Sequence, residues 1–307
     1  MNSSSTQSSS TNKSSTDTLN ISDKAVDFLK GLLVTRIMPS FYIFIILISF
    51  LPLNALALVT FTCKIRKKKP AVIYMSHLVC VDLLFTLLLP LKIHYQLNAS
   101  DWVFGEAACR LLSATYYCNM YCSILLMMCM SVDRLLAVAF PIASLTWRST
   151  RKARCVCVLV WLLNLGVTCF DLLDDDSSMM LYLSVFLIIP CIYFFLPLVV
   201  ILVSYSTIIY VLCAKHDHSA TSPSSSDNRK RAAIMATAVL TEFVVCFAPS
   251  NGFLLYHCVC IAMGSSGLDT YLAYLLAVCL GSSSVFLDPL LYYYGSTQYR
   301  QQICSLF

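Results

Sequence analysis

Residues 107–139 read AACRLLSATYYCNMYCSILLMMCMSVDRLLAVA, and this stretch decides the fold. No charged side chain occurs between Arg110 and Asp133. A helix needs about 20 apolar residues to cross the hydrocarbon core of a bilayer, and this run exceeds that. Six comparable runs accompany it: Ile37–Cys63, Ala71–Gln96, Ala153–Leu173, Tyr182–Cys213, Ala232–Met263 and Thr270–Tyr294. They are too long and continuous for the strands of a β-barrel. Prolines 52, 90, 197, 249 and 289 interrupt several runs, which a bundle tolerates because neighbouring helices satisfy the freed carbonyls. The expected fold is all-α, a seven-transmembrane helix bundle.

Composition agrees. Of 307 residues, 58% are hydrophobic and only 12% charged, half the charged share usual in globular proteins, about a quarter. With a mean hydropathy of +0.75, too little polar surface remains to solvate a compact body of this size. Disorder, collagen and a soluble coiled coil are excluded on the same grounds. Most of the 16 cysteines lie inside apolar runs, where they read as small hydrophobes rather than a disulfide scaffold.

Lys and Arg set the orientation. Lys64, Arg66, Lys67, Lys68 and Lys69 follow the first run, and Arg134, Arg148, Arg151, Lys152 and Arg154 follow the third. Lys215, Arg229, Lys230 and Arg231 follow the fifth, and Arg300 lies near the end, making 15 of the 21 basic residues on one face. The positive-inside rule makes that face cytoplasmic and places the N-terminus outside. Asn-x-Ser glycosylation sequons at Asn2, Asn12, Asn20 and Asn98 all fall on the outer side. The expected organisation is an extracellular Ser/Thr-rich segment over 1–36, a membrane domain over 37–294 and a short cytoplasmic tail over 295–307.

Ionisable groups inside a membrane are costly and mark function by default. Asp82, the Asp133–Arg134 pair, Glu242 and Asp288 stand out. Asp82 and Asp288 lie near mid-span with Ser123 at similar depth, a set of oxygen ligands that suits a small hard cation such as Na+. A protonated Asp82, hydrogen-bonded between helices, explains the same residue equally well. His257, Cys258 and Cys260 lack a fourth ligand for zinc, and His77 and His94 stand alone, so an enzyme is not expected.

Asn54, Leu78-x-x-x-Asp82, Asp133-Arg134-Leu135, Trp161, Pro197, Tyr205, Cys246-Phe247-Ala248-Pro249 and Asp288-Pro289-Leu290-Leu291-Tyr292 occur in order, with at least one landmark in each run. This succession resembles the rhodopsin-like G-protein-coupled receptors, with Leu135 in place of the usual Tyr and Phe247 in place of the usual Trp. Longer strings are similar to the protease-activated (thrombin-type) receptor subfamily. They are Asn98-Ala-Ser-Asp-Trp-Val-Phe-Gly-Glu106, Tyr117-Cys-Asn-Met-Tyr-Cys-Ser-Ile-Leu-Leu126, Phe247-Ala-Pro-Ser-Asn251 and Tyr274-Leu-Leu-Ala-Val-Cys-Leu-Gly-Ser282.

The resemblance implies a plasma-membrane receptor that does no chemistry. An extracellular serine protease exposes a tethered peptide agonist, and a heterotrimeric G protein is the inner partner. Membrane lipids surround the bundle, and neither a nucleic-acid partner nor an organic cofactor is expected. The implied agonist site includes Tyr117, His257 and Tyr274, and the outer thirds of the spans add Tyr95 and Tyr116 as candidates. The implied switch comprises Asp133, Arg134, Tyr205, Phe247, Pro249, Asp288, Pro289 and Tyr292, with Asp133 and the inner end of the sixth run restraining Arg134. Cys304, near Arg300, is a palmitoylation candidate.

Three features depart from the resemblance. Cys109 has no clear disulfide partner, because the second outer loop, near Asp174–Ser178, contains no cysteine. No Arg precedes Arg36, so Lys13, Lys24 and Lys30 offer only trypsin-like cleavage sites. Glu242 stands where an apolar residue is expected. Two alternatives remain open here: a receptor of the same fold for a diffusible peptide, nucleotide or lipid, and an ion- or proton-translocating seven-helix protein.

Overall fold

The computed structural model describes residues 28, 31–66, 68–98, 101–173, 188–189, 191–217, 223–263 and 271–305. The sequons at Asn2, Asn12 and Asn20 and the second outer loop lie outside them. The described chain is helical and contains no strand among these residues. Span one covers 33–64, span two Pro70–Leu97, span three Glu106–Ala139 and span four Thr150–Leu173. Span five covers 191–217, span six 223–262 and span seven 271–295. Two short helices add to these, Pro141–Trp147 in the second inner loop and Thr297–Cys304 after span seven. Spans two, three, five, six and seven are each long and apolar enough to cross a membrane.

Span three is the axis, packing on spans two, four and five, while span six lies between spans five and seven. Span seven closes the ring against spans one and two. Large apolar side chains face outward, among them Leu84, Leu87, Leu162 and Val203. In water such a surface would aggregate; in a bilayer it is the lipid-facing surface.

Local chemistry sets the helix ends. Span two starts at Pro70, whose fixed φ and missing N–H suit a first helical position. Span three starts after Gly105, at φ 79°, a backbone region that favours glycine. Ser296 caps the last helix by accepting from the Tyr299 N–H at 3.1 Å. Tyr299 then packs on Phe61 and Tyr292, with ring centroids 5.0 and 6.2 Å away. The helix Thr297–Cys304 is thereby docked against spans one and seven.

Span one departs from the expected start at Ile37. It is already helical at Leu33, with Ser40 Oγ donating to the Arg36 carbonyl at 2.7 Å. Leu33 and Val34 pack against an outer core cluster that includes Tyr42, Phe85 and Tyr116.

Buried polar contacts set the registers of the spans. Trp161 Nε1 donates to His77 Nδ1 at 3.2 Å, joining span four to span two. His77 is thus a structural acceptor and is not isolated. Tyr116 and Ser250 share a hydrogen bond of 2.8 Å, and Ser250 Oγ donates to the Ala277 carbonyl at 2.9 Å. Spans three, six and seven meet there because residue 281 is glycine: a Cβ would collide with the Tyr116 hydroxyl and stand 3.1 Å from Ser250 Oγ. We expect Gly281→Ala to lower stability by about 1–3 kcal/mol through overpacking, read as a reduced melting temperature of the solubilised protein. An unchanged melting temperature would show that the junction yields.

Candidate functional site

Polar groups gather at three depths. Nearest the outside is a small cavity of about 70 Å³, with Tyr42, Lys92, Tyr116, Tyr117, Tyr274 and Ser282 in its wall. The Tyr117 and Tyr274 hydroxyls lie 3.5 Å apart across 157 residues of chain. Tyr95 does not line this cavity. It packs on Trp102, with ring centroids 5.9 Å apart, and under the Lys92 ammonium at 5.6 Å. The His257 side chain lies outside the described residues. Tyr116, an outer-third tyrosine, and Lys92, absent from the expected site, also line the wall. The spacing of Lys92 from Pro90 within an outer half-span was the available signal, since a lone Lys inside a span needs a reason.

At mid-depth, Asp82 is fully buried and accepts from Asn119 Nδ2 at 3.2 Å and from the Tyr292 hydroxyl at 3.1 Å. Asp288 and Glu242 are also fully buried; Asp82 acts electrostatically on both, and Glu242 acts on Asp288. Ser123 lies one helical turn from Asn119 on the same face of span three, and its buried hydroxyl has no hydrogen-bond partner. The Glu242 oxygens likewise have none among the described residues. No basic side chain shares a hydrogen bond with these carboxyls among the described residues. Nor do three His, Cys, Asp or Glu side chains converge as a metal cage among them. Asp82, Asp288 and Ser123 carry the oxygen donors that suit a hard cation.

Between these layers, Tyr121 donates to Asn251 Oδ1 at 3.3 Å, and Asn251 Nδ2 donates to the Phe247 carbonyl at 2.9 Å. Phe247 is buried edge-on against Phe243, which stacks with Phe194 of span five. Span six widens into a π-turn over Phe243–Phe247 just before Pro249, a combination that bends helices. Pro289 sits inside span seven between Asp288 and Tyr292.

At the cytoplasmic end Asp133 acts on Arg134 electrostatically, while its hydrogen bonds go elsewhere. Asp133 receives two hydrogen bonds from Arg148, at 2.8 Å from Nε and 2.7 Å from the terminal nitrogen. The guanidinium fork matches a carboxylate, whereas adjacent side chains on a helix point apart. That bond holds the Arg148 guanidinium above its ordinary pKa. Arg134 lies beside Tyr205 in a cavity of about 340 Å³ that also touches Arg231, Met235 and Tyr294. Arg231 donates to the Tyr294 carbonyl at 3.1 Å, joining spans six and seven. Cys304 is exposed at the end of the last helix, and Asn98 is exposed at the outer end of span two. Cys109 is exposed and forms no disulfide with any described residue.

A helical bundle with a small outer cavity, a buried carboxyl centre and an inner cavity around Arg134 has the architecture of a transmembrane receptor. The profile of the 7 transmembrane receptor (rhodopsin family) matches residues 53–292, and the chain belongs to that family of G-protein-coupled receptors. It is 37% identical over 305 residues to Proteinase-activated receptor 1 of Cricetulus longicaudatus and of Homo sapiens, covering 93% of this chain and 70% of each relative. It is 33% identical over 301 residues to Proteinase-activated receptor 2 of Rattus norvegicus, covering 92% of this chain and 74% of that one. Within the family, the chain is a G-protein-coupled receptor of the protease-activated type, a multi-pass protein of the plasma membrane.

The Asp133–Arg148 pair is 6% and 24% exposed at its two side chains, buried enough that losing one partner strands the other. We expect Arg148→Gln to destabilise the solubilised receptor by about 1–3 kcal/mol, and Arg148→Lys by less. Equal melting temperatures for all three proteins would remove the pair from the structural account.

Proposed function

We propose that a serine protease selective for basic residues cuts this chain ahead of span one, and that the new N-terminal peptide docks at the outer cavity. The observation that supports this best is the Tyr117–Tyr274 hydroxyl pair in that cavity. Phenol faces pack apolar peptide side chains while the hydroxyls bond peptide carbonyls. Tethering supplies a high effective concentration, so weak contacts suffice. The adjacent Tyr116–Ser250 bond reaches span six one residue beyond Pro249, where a small displacement becomes a larger swing at the inner end. Opening that end gives the G protein access to Arg134 and Tyr205, with Tyr292 moving inward beside them.

The test uses cells expressing the chain with an extracellular N-terminal tag, challenged with thrombin, with trypsin or with free peptides beginning at Ser14 or Gly31. Tag loss should track calcium or cyclic-AMP responses, and substituting the cleaved Lys should abolish the protease response while sparing the free peptide's. A response to diffusible ligands without any tag loss would overturn the reading. Tyr117→Phe and Tyr274→Phe should each lower peptide potency about tenfold, the cost of one hydrogen bond in a dry site. Because the hydroxyls act as a pair, the double variant should lose much less than a hundredfold.

We further propose that Na+ sits among Asp82, Ser123 and Asp288 and stabilises the inactive arrangement by neutralising carboxylate charge. Raising Na+ at constant ionic strength should lower basal signalling in the parent and leave Asp82→Asn unaffected. Equal sodium responses in both would count against the site. Sequons Asn2, Asn12, Asn20 and Asn98 are proposed to carry glycans, and Cys304 to be palmitoylated, pinning the last helix to the membrane.

A further inference from the structure

The wall of the outer cavity holds one cation among phenols and apolar side chains. Lys92 is half-buried there, two residues beyond Pro90 in span two. No Asp or Glu lines the cavity. Among the described residues the ion pairs join Arg110 to Glu106 and Arg148 to Asp133, and none reaches Lys92. The ionisable groups that act on its ammonium are thiols, those of Cys109 and Cys279. The Tyr95 ring, with its centroid 5.6 Å away, answers part of the charge. A cation taken partly out of water without a carboxylate is costly, and an anionic group on a ligand removes that cost.

The chain itself carries a fitting group. Residues 1–36 contain the acids Asp17, Asp23 and Asp27 and, ahead of Arg36, the lysines Lys13, Lys24 and Lys30. Cleavage after Lys24 frees Ala25-Val-Asp27-Phe28-Leu29-Lys30, in which a single carboxylate sits among apolar side chains. That pattern is the complement of a single cation among phenol rings. Cleavage after Lys13 frees Ser14-Ser-Thr-Asp17-Thr-Leu19, which offers little beyond Leu19 to bury. Cleavage after Lys30 leaves Gly31 two residues ahead of Leu33, which is already packed in span one.

Reach permits the contact. Tyr42, in the cavity wall, lies nine residues deeper than Leu33, about 13 Å along a helix axis. The six residues from Asp27 to Leu33 extend to about 20 Å. Folding back unwinds the turn that carries Phe28 and Leu32, which are 70% and 41% exposed, so little packing is lost.

We propose that Lys92 is the counter-ion of Asp27 in the peptide that begins at Ala25, and that this receptor's agonists are apolar peptides bearing a carboxylate at their third residue. The proposal rests on the tethered-peptide reading above and names its ligand. The cavity, about 70 Å³, is smaller than sites that take whole ligands, about 300–1,000 Å³. It takes the Asp27 side chain, while Val26 and Phe28, on the opposite side of an extended backbone, stay outside it.

The experiment uses cells expressing the full chain with an extracellular tag, and a free peptide of residues 25–30 amidated at its C-terminus so that Asp27 is its sole carboxylate. Potency in calcium or cyclic-AMP readout is compared at matched surface expression. Asp27→Asn in the peptide should lower potency at least tenfold on the unmodified receptor and less than threefold on Lys92→Gln. Lys92→Glu should prefer the peptide carrying Asp27→Lys over the parent peptide, reversing the receptor's choice. A merely structural role for Lys92 would weaken both peptides equally. The Asp27→Asn arm needs no altered receptor, so it decides the matter if the Lys92 variants fail to reach the surface. Equal potency of the two peptides on the unmodified receptor, or an undiminished tenfold loss on Lys92→Gln, would overturn the inference. So would a silent Ala25 peptide; a trypsin response that persists beside that silence leaves the tethered-peptide reading standing, with another segment as agonist.

Discussion

In hydrocarbon a polar group has no water to fall back on, so each must find its partner inside the bundle. Asp82 is where that constraint acts hardest. Its two oxygens accept from span three through Asn119 and from span seven through Tyr292, and Asn54 of span one donates to the Val285 carbonyl at 3.5 Å. Apolar side chains contribute little to register, because lipid tails solvate Leu as well as a neighbouring helix does. Directional bonds do select register. The Asp82 centre therefore fixes how spans two, three and seven sit, Trp161 and His77 fix span four, and the outer and inner cavities inherit their shapes from those positions.

Magnitudes limit how the outer cavity speaks to the inner one. Moving a resting population from 1:99 to 99:1 takes about 5.5 kcal/mol of differential affinity. A pair of tyrosine hydroxyl bonds supplies about 1 kcal/mol each net, so hydrogen bonding alone falls short. Burial of apolar peptide surface, at roughly 25 cal/mol per Å², must provide the remainder. That explains a site built of phenol rings rather than charges. It also explains why the contact propagates through packed rings and short bonds: Tyr117 lies against Tyr116 and Tyr121, and these two reach Ser250 and Asn251 on either side of one peptide bond in span six.

Hydropathy made the spans legible, since the inner and outer ends of spans two, three and four fall within a few residues of the apolar boundaries. The charges inside them were legible for the same reason: they break an otherwise unbroken pattern. Partnerships were not. Asp133 next to Arg134 invites a pair, yet helix geometry points adjacent side chains apart and leaves Asp133 to Arg148, 15 residues on. Tyr117 and Tyr274 carry no mutual mark at a separation of 157 residues. Gly281 reads as one more small residue until Tyr116 and Ser250 are seen to occupy the space a Cβ would need. The last helix was missed because eight residues are too few for a strong periodic signal, while its stability comes from Tyr299 docking on Phe61.

Span six shows how opposing terms leave one helix ready to move. Phe243 and Phe247 are fully buried and packed on each other and on span five, and each such ring pair contributes roughly 0.5–1.5 kcal/mol. Glu242, adjacent to Phe243, works the other way. Its carboxyl is fully buried, has no hydrogen-bond partner among the described residues and faces the field of Asp82. An unsatisfied buried polar group costs about 1–3 kcal/mol, comparable to the combined gain from those ring pairs. The aromatic side of the helix holds it in and the acidic side pushes it out, immediately below the π-turn and Pro249 that let it bend. A helix held by a difference of a few kcal/mol can be displaced by one peptide's binding energy; a fully apolar helix in the same slot would resist it.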